Sequence, residues 1–309
     1  MGLASKVRKV ELRVTDPRPA PEPSRATSKI RDALIAIADE VNAEGVLFGD
    51  RSRLVVDLAP NAPIRNPASR EIPLYTSTYF LGLVGHPNLN PIIVRHLEDH
   101  LGAENLASLL AAVRPWYSLA DDFEGQRLGP IGCSGLFFAR DGAGEVHFLI
   151  GRRSRTCAVS VDAWTTTLDE GIANLVGWHE GQLRNAVVQE LGLLADEGSR
   201  FLTEVRNLGW LVPSLSSVDE GRMTKIAGRV LQSGANAVFG SLIGFDDLVR
   251  LADGYNATHA KGAGGAELSE FAVWTMDEII ERDDVFTEIL VAACAAIVDQ
   301  VDSFTGEGS

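Results

Sequence analysis

The spacing of hydrophobic residues predicts both helices and strands in the first part of the chain. Apolar side chains recur every three to four positions over 28–41, which is typical of a helix with one buried face. Residues 91–101 and 105–116 have the same spacing. Residues 54–58 are predicted to be a strand, and the apolar, β-branched and aromatic residues 72–84 one or two strands. This region is therefore predicted to be α+β.

A clearer strand pattern follows in the second half of the chain. Residues 131–140 and 145–152 are predicted to form a hairpin, because the glycines of Asp141-Gly-Ala-Gly144 can adopt the positive φ of its turn. A third strand is predicted at 156–167, and a helix at 179–191 that ends at a glycine. The pattern then predicts three strands and a final helix, at 208–212, 237–243, 269–275 and 285–301.

Composition divides the chain into three predicted segments. Residues 1–28 contain the stretch Asp16-Pro-Arg-Pro-Ala-Pro-Glu-Pro23, which is typical of an extended, flexible arm. Residues 29–128 are predicted to be an N-terminal α+β domain, and residues 129–309 a second domain with the stronger strand pattern. Because 45% of the residues are hydrophobic, the chain has enough apolar material for a complete core.

Charge and cysteine content exclude several classes of function. The 28 basic and 42 acidic residues give a net charge of −14, which repels long nucleic acids and anionic membranes but permits a nucleotide-sized ligand. The three cysteines include no Cys-x-x-Cys pair, so neither a disulfide scaffold nor a four-cysteine zinc site is expected. No apolar leader begins the sequence, and the apolar run 289–298 is too short to span a bilayer. We therefore expect a soluble, cytoplasmic protein.

The order of elements in the second half resembles that of a known family. The residues that carry the resemblance are Ile131-Gly-Cys-Ser-Gly-Leu-Phe-Phe138, His147-Phe-Leu-Ile-Gly-Arg-Arg-Ser154, Trp164, Gln189-Glu-Leu-Gly-Leu193 and residues 267–280. Over about residues 129–302 this arrangement resembles the Nudix superfamily. The resemblance implies an α/β/α sandwich with a mixed sheet, and Mg²⁺-dependent hydrolysis of nucleoside diphosphates linked to another group.

The sequence box that characterises this family is degenerate here. Aligned on its last glycine, the box keeps its scaffold residue types at Gly171, Val187, Gly192 and Leu193. Its arginine and three of its four glutamates are replaced, by Asn185, Gly177, Ala186 and Gln189. Positions 186, 189 and 190 share one helical face, where three carboxylates would hold Mg²⁺. The one retained carboxylate, Glu190, leaves at most a weak Mg²⁺ site.

The candidate catalytic residues lie on this helix and on a later strand. Glu190 is the candidate metal ligand or acid–base group, and its alternative is an ordinary helix acid. His179 and Glu180 would open the helix at the mouth of the pocket, although an acid there also suits the helix dipole. Glu270 is a candidate base from a distant strand. Five further acids could help to rebuild a site, namely Asp169, Glu170, Asp196, Glu197 and Glu267.

Candidate substrate-binding residues surround the same predicted pocket. Arg152 and Arg153 could contact a phosphate, but adjacent strand residues point to opposite faces, so at most one is expected to face the pocket. Trp164 could stack on a ligand, although a core position is the favoured interpretation. Gln189 occupies a box position on the helix and could bind the ligand through its amide.

Three functions are open from the sequence. We favour a Nudix-fold protein with lost or altered pyrophosphohydrolase activity, repurposed as a small-molecule enzyme that needs no metal or binds Mg²⁺ weakly. The alternatives are an Mg²⁺-dependent hydrolase of nucleoside-diphosphate-linked compounds and a non-catalytic ligand-binding or regulatory module. The expected partner is a small molecule that could contain phosphate, rather than a long nucleic acid or a membrane. The apolar run 72–84 could also form a homodimer surface.

Overall fold

A computed structural model describes most of the chain. The described residues are 7–8, 13–14, 16–21, 23–58, 62–63, 71–84, 86, 88–117, 128–172, 180–193, 195–203, 205–211, 229–230, 235–259 and 267–305. Most of residues 60–67 and of residues 121–129 lie outside them.

Strands and helices follow one another in a mixed order. The strands are β1 (Val7–Arg8), β2 (Arg13–Val14), β3 (Arg18–Pro19), β4 (Ser52–Asp57), β5 (Glu71–Ile72), β6 (Leu74–Thr78), β7 (Leu128–Arg140), β8 (Val146–Arg153), β9 (Trp164–Thr165), β10 (Leu168–Gly171), β11 (Val205–Leu211), β12 (Arg229–Val230), β13 (Ala235–Leu242), β14 (Leu268–Thr275) and β15 (Phe286–Thr287). The helices are α1 (Arg25–Ala36), α2 (Ala38–Ala43), α3 (Tyr79–Leu83), α4 (Pro91–Leu101), α5 (Ala103–Tyr117), α6 (Glu180–Leu191), α7 (Ala195–Arg200), α8 (Phe245–His259), α9 (Met276–Glu281), α10 (Glu288–Val298) and α11 (Val301–Thr305).

The long strand β7 organises a mixed sheet. It pairs in parallel with β13 and antiparallel with β8, β10 and β4. Strand β8 in turn pairs antiparallel with β14 and β9. Because β13 occupies one edge of β7, strands β10 and β8 follow one another along the opposite edge. This arrangement brings β10 close to the end of β8, where the candidate site is built.

Helices cover both faces of this sheet. On one face α6 and α8 pack against β7 through a core that includes Leu183 and Leu248. On the other face the almost wholly buried helix α10 packs through a core that includes Leu290 and Ile297. The structure is thus an α/β/α sandwich with a mixed sheet, which confirms the predicted fold class.

The N-terminal residues both extend the sheet and form a helical layer. Strand β4 pairs with β6 and with the start of β7, and its Leu54 belongs to the same core as α6. Helices α1, α3, α4 and α5 surround a separate core that includes Leu34 and Phe80. Within the predicted arm, Arg18–Pro19 pairs with β6, and α1 begins at Arg25. The division into an arm and two domains stays a prediction.

The second part of the run 72–84 is helical, so the prediction that it is all strand is wrong. Asp50 Oδ1 accepts the N–H of Phe80 at 2.9 Å and so satisfies a donor in the first turn of α3. Phe80 and Leu83 lie three positions apart and are both buried. A contact from a distant loop therefore decides the local structure.

The predicted third strand at 156–167 is also wrong over most of its length. Ser160 and Asp162 have φ values of 54° and 60°, which a continuous strand cannot contain. The chain instead turns before the short strand β9. The predicted final helix is divided into α10 and α11.

The helix predicted at 179–191 is confirmed as α6, over 180–191. It ends before Gly192, whose φ of 65° is the left-handed conformation that glycine permits. None of the described helices combines the length and hydropathy that a membrane span requires.

Candidate functional site

A polar cleft lies where the N-terminal strands meet the end of β8. It encloses about 160 Å³. Strand β4 contributes Arg53, helix α3 contributes Tyr79, β8 contributes Arg153, and β10 contributes Asp169 and Glu170. We call this cavity the arginine cleft, and its polar lining residues are Arg51, Arg53, Tyr79, His86, Arg153, Ser160, Asp169, Glu170, Asn236, Glu267 and Thr287.

Arg153 is the cation at the base of the cleft. Its side chain is 16% exposed, and its Nη1 lies 3.6 Å from Asp169 Oδ2. Its Nε donates to the carbonyl oxygen of Val159 at 3.2 Å. Burial alone would lower the pKa of this guanidinium, but the neighbouring Cys157, Asp169 and Glu267 raise it above its ordinary value. Arg153 is therefore a permanent and well-positioned positive charge.

Asp169 is held by a chain of hydrogen bonds from the central sheet. Ser134 Oγ donates to Asp169 Oδ1 at 3.0 Å, and Asn236 Nδ2 donates to Ser134 Oγ at 2.9 Å. Gly132 makes this arrangement possible, because a Cβ there would overlap the Asn236 side chain. Burial raises the pKa of Asp169, and Arg153 opposes that increase.

Glu190 lies beneath the cleft, on α6. Its residue is 5% exposed, and its two carboxylate oxygens accept the backbone N–H of Asp169 at 3.0 and 3.1 Å. Burial raises the pKa of Glu190 well above its ordinary value, and the nearby carboxylates of Asp169, Glu267 and Glu170 raise it further. Glu190 thus fixes the position of β10, and its burial disfavours the charged form of the carboxyl group.

Glu170 is a carboxylate of the cleft whose pKa lies near neutral pH. Burial, together with the charge of Glu267, raises the pKa of Glu170 to about 7, while Arg51 and Arg53 oppose the increase. A carboxyl group of this pKa can accept or donate a proton near neutral pH.

Two cations of the cleft come from the N-terminal region. Arg53 and Arg51 lie two positions apart and so on the same side of the chain as it enters β4. Their guanidinium carbons lie 4.5 and 5.4 Å from the ring centre of Tyr79. Gly171 allows Arg53 to approach β10, since a Cβ at this glycine would overlap the guanidinium.

His86 is a neutral polar group in the cleft wall. Its Nδ1 accepts the N–H of Asn88 at 3.1 Å, which assigns the ring proton to Nε2. Burial, with a smaller contribution from Arg153, lowers the pKa of His86 to about 4. At neutral pH the ring can therefore donate a hydrogen bond without carrying charge.

The structure places the predicted site residues in different surroundings. Arg153 lines the cleft and Glu190 lies beneath it, whereas Gln189 is exposed. Glu180 is the first residue of α6, and His179 lies outside the described residues.

The remaining three predicted residues lie together, away from the cleft lining. Arg152 Nη1 donates to Glu270 Oε1 at 2.9 Å on the other face of β8. Trp164 is 5% exposed, and its ring lies 4.5 Å from that of Trp274. Of the two interpretations of Trp164, the structure therefore favours the core position.

Several cleft residues were not found from the sequence. They are Arg51, Arg53, Tyr79, His86, Ser134 and Asn236. The spacing Arg-x-Arg before a predicted strand is the one local signal that could have drawn attention to the first two, because it places both on one side of the chain.

The family's metal requires a donor set that the described part of the box helix does not supply. On α6 the position of one family glutamate is the buried Ala186, that of another the exposed Gln189, and Glu190 already accepts a backbone N–H with both oxygens. Among the described residues, no three carboxylates of the cleft bring ligand atoms within 4.8 Å of one another. The donors therefore do not fit a ready-made divalent cation site here.

One other group of described side chains has the spacing of metal ligands. Asp141, Glu145 and His147, at the β7–β8 turn, bring one ligand atom each within 4.8 Å of one another. Asp141 Oδ1 also accepts the N–H groups of Ala143 and Glu145, both at 2.9 Å, so the turn itself accounts for the position of this aspartate. This group lies at the opposite end of β8 from Arg153.

No known family profile matches the sequence, and no curated protein matches it. Among solved structures, the chain is similar to a MutT/Nudix family protein from Listeria innocua, with 16% identity, coverage of 57% of this chain and 96% of that chain, and a TM-score of 0.35. It is similar to NrtR of Shewanella oneidensis, with 8% identity, coverage of 56% and 64%, and a TM-score of 0.34. For DR0079 from Deinococcus radiodurans the identity is 15%, the coverage 52% and 80%, and the TM-score 0.29.

The fold expected from the sequence resemblance is present in the structure. The hairpin β7–β8, the helix α6 ending at Gly192 and the helices on both faces of a mixed sheet occur in the expected order. The chain thus has the α/β/α arrangement with a mixed sheet that the sequence resemblance implies. This agreement concerns the arrangement of elements and assigns no residue a role.

Proposed function

We propose that this Nudix-like protein is a small-molecule enzyme whose arginine cleft binds an anionic, phosphate-bearing ligand, and that metal-dependent pyrophosphohydrolase activity has been lost or altered. The observation that carries the proposal is the convergence of Arg51, Arg53 and Arg153 on one cavity of about 160 Å³. Three carboxylates, Asp169, Glu170 and Glu267, line the same cavity, so the arginines offer an anion directed N–H donors rather than a net positive field.

Guanidinium groups fit the geometry of phosphate particularly well. Each presents several N–H donors in a plane and can bind two oxygens at once. Arg153 is held by Asp169 and by the Val159 carbonyl, so little conformational freedom remains to be lost when a ligand binds. Neutral His86 adds a donor to the same wall.

Acid–base chemistry is assigned to Glu170 in this proposal. Its pKa of about 7 suits proton transfer near neutral pH, and it lines the same cavity as the arginines. Glu190 acts as a positioning residue, because its carboxylate holds the N–H of Asp169 next to Glu170. Glu190 is a candidate for the acid–base role from the sequence, and in this proposal that role belongs to Glu170 instead.

Ligand binding without metal is the first test. Calorimetric titration with inorganic phosphate in EDTA is expected to show binding that is lost in Arg153→Leu and kept in the matched control Arg152→Leu, whose side chain pairs with Glu270 instead. Phosphate binding that needs Mg²⁺, or that Arg153→Leu leaves unchanged, would contradict the proposal.

Turnover is the second test. A screen of phosphate esters, nucleotide sugars and dinucleotides in EDTA is expected to find a reaction that Glu170→Gln slows by about two orders of magnitude or more. Turnover that requires Mg²⁺ and is abolished by Glu190→Gln would restore the metal-dependent hydrolase. Binding with no turnover of any compound would favour the non-catalytic module.

A further inference from the structure

A second and larger cavity adjoins the arginine cleft. It encloses about 340 Å³, and we call it the side chamber. Arg51, Tyr79, Arg153 and Glu267 line both cavities, so the two are neighbours that share a wall. A ligand whose anion lies on Arg51 and Arg153 therefore has open space for its remaining atoms in the side chamber.

One wall of the side chamber is apolar, while Asn42 and Asp50 add polar groups elsewhere in its lining. Both polar side chains bond the protein's own backbone, Asn42 at Phe48 and Asp50 at the Phe80 N–H.

The apolar wall includes Leu47, Phe48, Cys157 and Ala158. Phe48 and Ala158 are 5% and 3% exposed and belong to the helical core of the N-terminal region. The Cys157 thiol donates to the Glu267 carbonyl oxygen at 3.0 Å, and burial raises the pKa of this thiol, so it is neutral. This wall offers van der Waals contact rather than charge.

Hydrogen bonds hold the chamber wall in place. Asn42 Nδ2 donates to the Phe48 carbonyl oxygen at 2.7 Å, and the Phe48 N–H donates to Asn42 Oδ1 at 3.0 Å. The Leu47 N–H donates to the Thr156 carbonyl oxygen at 2.7 Å and ties the loop to the second half of the chain. The chamber is thus formed before a ligand arrives, as is usual for small-molecule sites.

We propose that the side chamber is a specificity pocket for an apolar group, and that the ligand is a phosphate-bearing compound whose second part is apolar. The anion would lie on Arg51 and Arg153, and the apolar part between Phe48 and Ala158. The inference rests on the proposed function and deepens it, because it gives the N-terminal region the task of selecting the substrate.

Binding of simple phosphate esters tests the chamber. Calorimetric titration of the full chain with phenyl phosphate and with glycerol phosphate, in EDTA near neutral pH, compares an apolar with a polar ester of the same anion. Phenyl phosphate is expected to bind about tenfold more tightly, since its ring would be removed from water.

A variant that fills the chamber sharpens the test. Gly49 lines the side chamber, and a Cβ there would meet no atom within 4 Å. Gly49→Leu is expected to reduce the preference for phenyl phosphate from about tenfold to about onefold. Gly142→Leu, at the β7–β8 turn, where a Cβ also meets no atom within 4 Å, is the matched control and should keep the preference.

The outcomes separate the two proposals. Equal affinities for the two esters in the native chain, or a preference that survives in Gly49→Leu, would overturn the specificity pocket and leave the anion site standing. The proposed function would be overturned, and this inference with it, if the protein bound neither inorganic phosphate nor either ester. Binding that Arg153→Leu does not weaken would have the same consequence.

Discussion

Two adjacent arginines, Arg152 and Arg153, have different burial and different partners because they lie on opposite faces of the sheet. Arg153, with a side chain 16% exposed, lies near Asp169 beside the cleft. Arg152, with a side chain 38% exposed, pairs with Glu270 and lies 5.8 Å from the ring centre of Trp164 on the other face. The same residue type is buried among carboxylates on one face and half-exposed beside an aromatic ring on the other. Surroundings, rather than residue type, therefore make one of them a candidate ligand-binding group.

The largest difference between the two faces is expected in the stability lost when each arginine is replaced in turn. Arg153→Leu removes the cation that pairs with Asp169 and leaves Arg53 as its remaining positive neighbour, and it is expected to lower the free energy of unfolding by about 3 kcal/mol. Arg152→Leu is expected to lower it by less than about 1 kcal/mol, because its ion pair is partly exposed. Urea unfolding of both variants measures the contrast. Equal losses would mean that the two faces do not differ as described.

The next largest effect is expected in the pH dependence of the free energy of unfolding, through Glu170 on the cleft face of the sheet. Because the folded-state pKa of Glu170 is about 7, above its ordinary 4.5, the folded state holds the proton more tightly and stability falls as pH rises through this window. Glu170→Gln removes that fall. From acidic to mildly alkaline pH, the free energy of unfolding of the variant should therefore rise by about 2 kcal/mol relative to that of the native chain, after allowance for the partial exposure of Glu170. Urea unfolding at pH values on either side of the window measures it. An unchanged pH dependence in the variant would show that Glu170 does not titrate there.

A smaller effect is expected at Gly171, whose lack of a side chain leaves space for the Arg53 guanidinium in the cleft. Gly171→Ala places a Cβ against the end of this flexible side chain, which must move. The affinity for inorganic phosphate should fall by about threefold to tenfold, with little change in stability. Titration calorimetry measures it, with Gly142→Ala as the control in open space. Undiminished affinity would remove Arg53 from the anion site.

The smallest effect is expected from the partner of Arg152. Glu270→Gln keeps a hydrogen-bond acceptor and loses only a partly exposed charge, so its free energy of unfolding should change by less than about 0.5 kcal/mol. Phosphate affinity should not change, since Glu270 does not line the cleft. A loss of phosphate affinity in this variant would show that the two faces are coupled through β8.

The scaffold could be predicted because its signals are local. Two nearly continuous apolar runs and a glycine turn predict the β7–β8 hairpin, and Gly192 marks the end of α6. The alternation of side chains along a strand explains why Arg152 and Arg153 separate onto two faces. These patterns depend on neighbours within a few residues of each other.

Half of the cleft could not be predicted because it depends on contacts between distant parts of the chain. Arg53 and Tyr79 reach Arg153 only because β4 pairs with the start of β7, and no spacing in the sequence encodes that pairing. Helix α3 likewise depends on Asp50, which lies 30 positions from Phe80. Glu190 was found from the box, but its role beneath Asp169 follows from burial, which the pattern of residues does not reveal.

The pairing of β4 with β7 has a consequence for anyone who wishes to redesign this protein. Two of the three guanidinium groups and one wall of the side chamber belong to a segment that precedes the sandwich in sequence and completes its sheet edge in space. On the proposed function, substitutions at residues 47–51 would change ligand choice while α6 stays untouched. A shortened chain that starts at β7 would lose the proposed binding surface along with its leading strands.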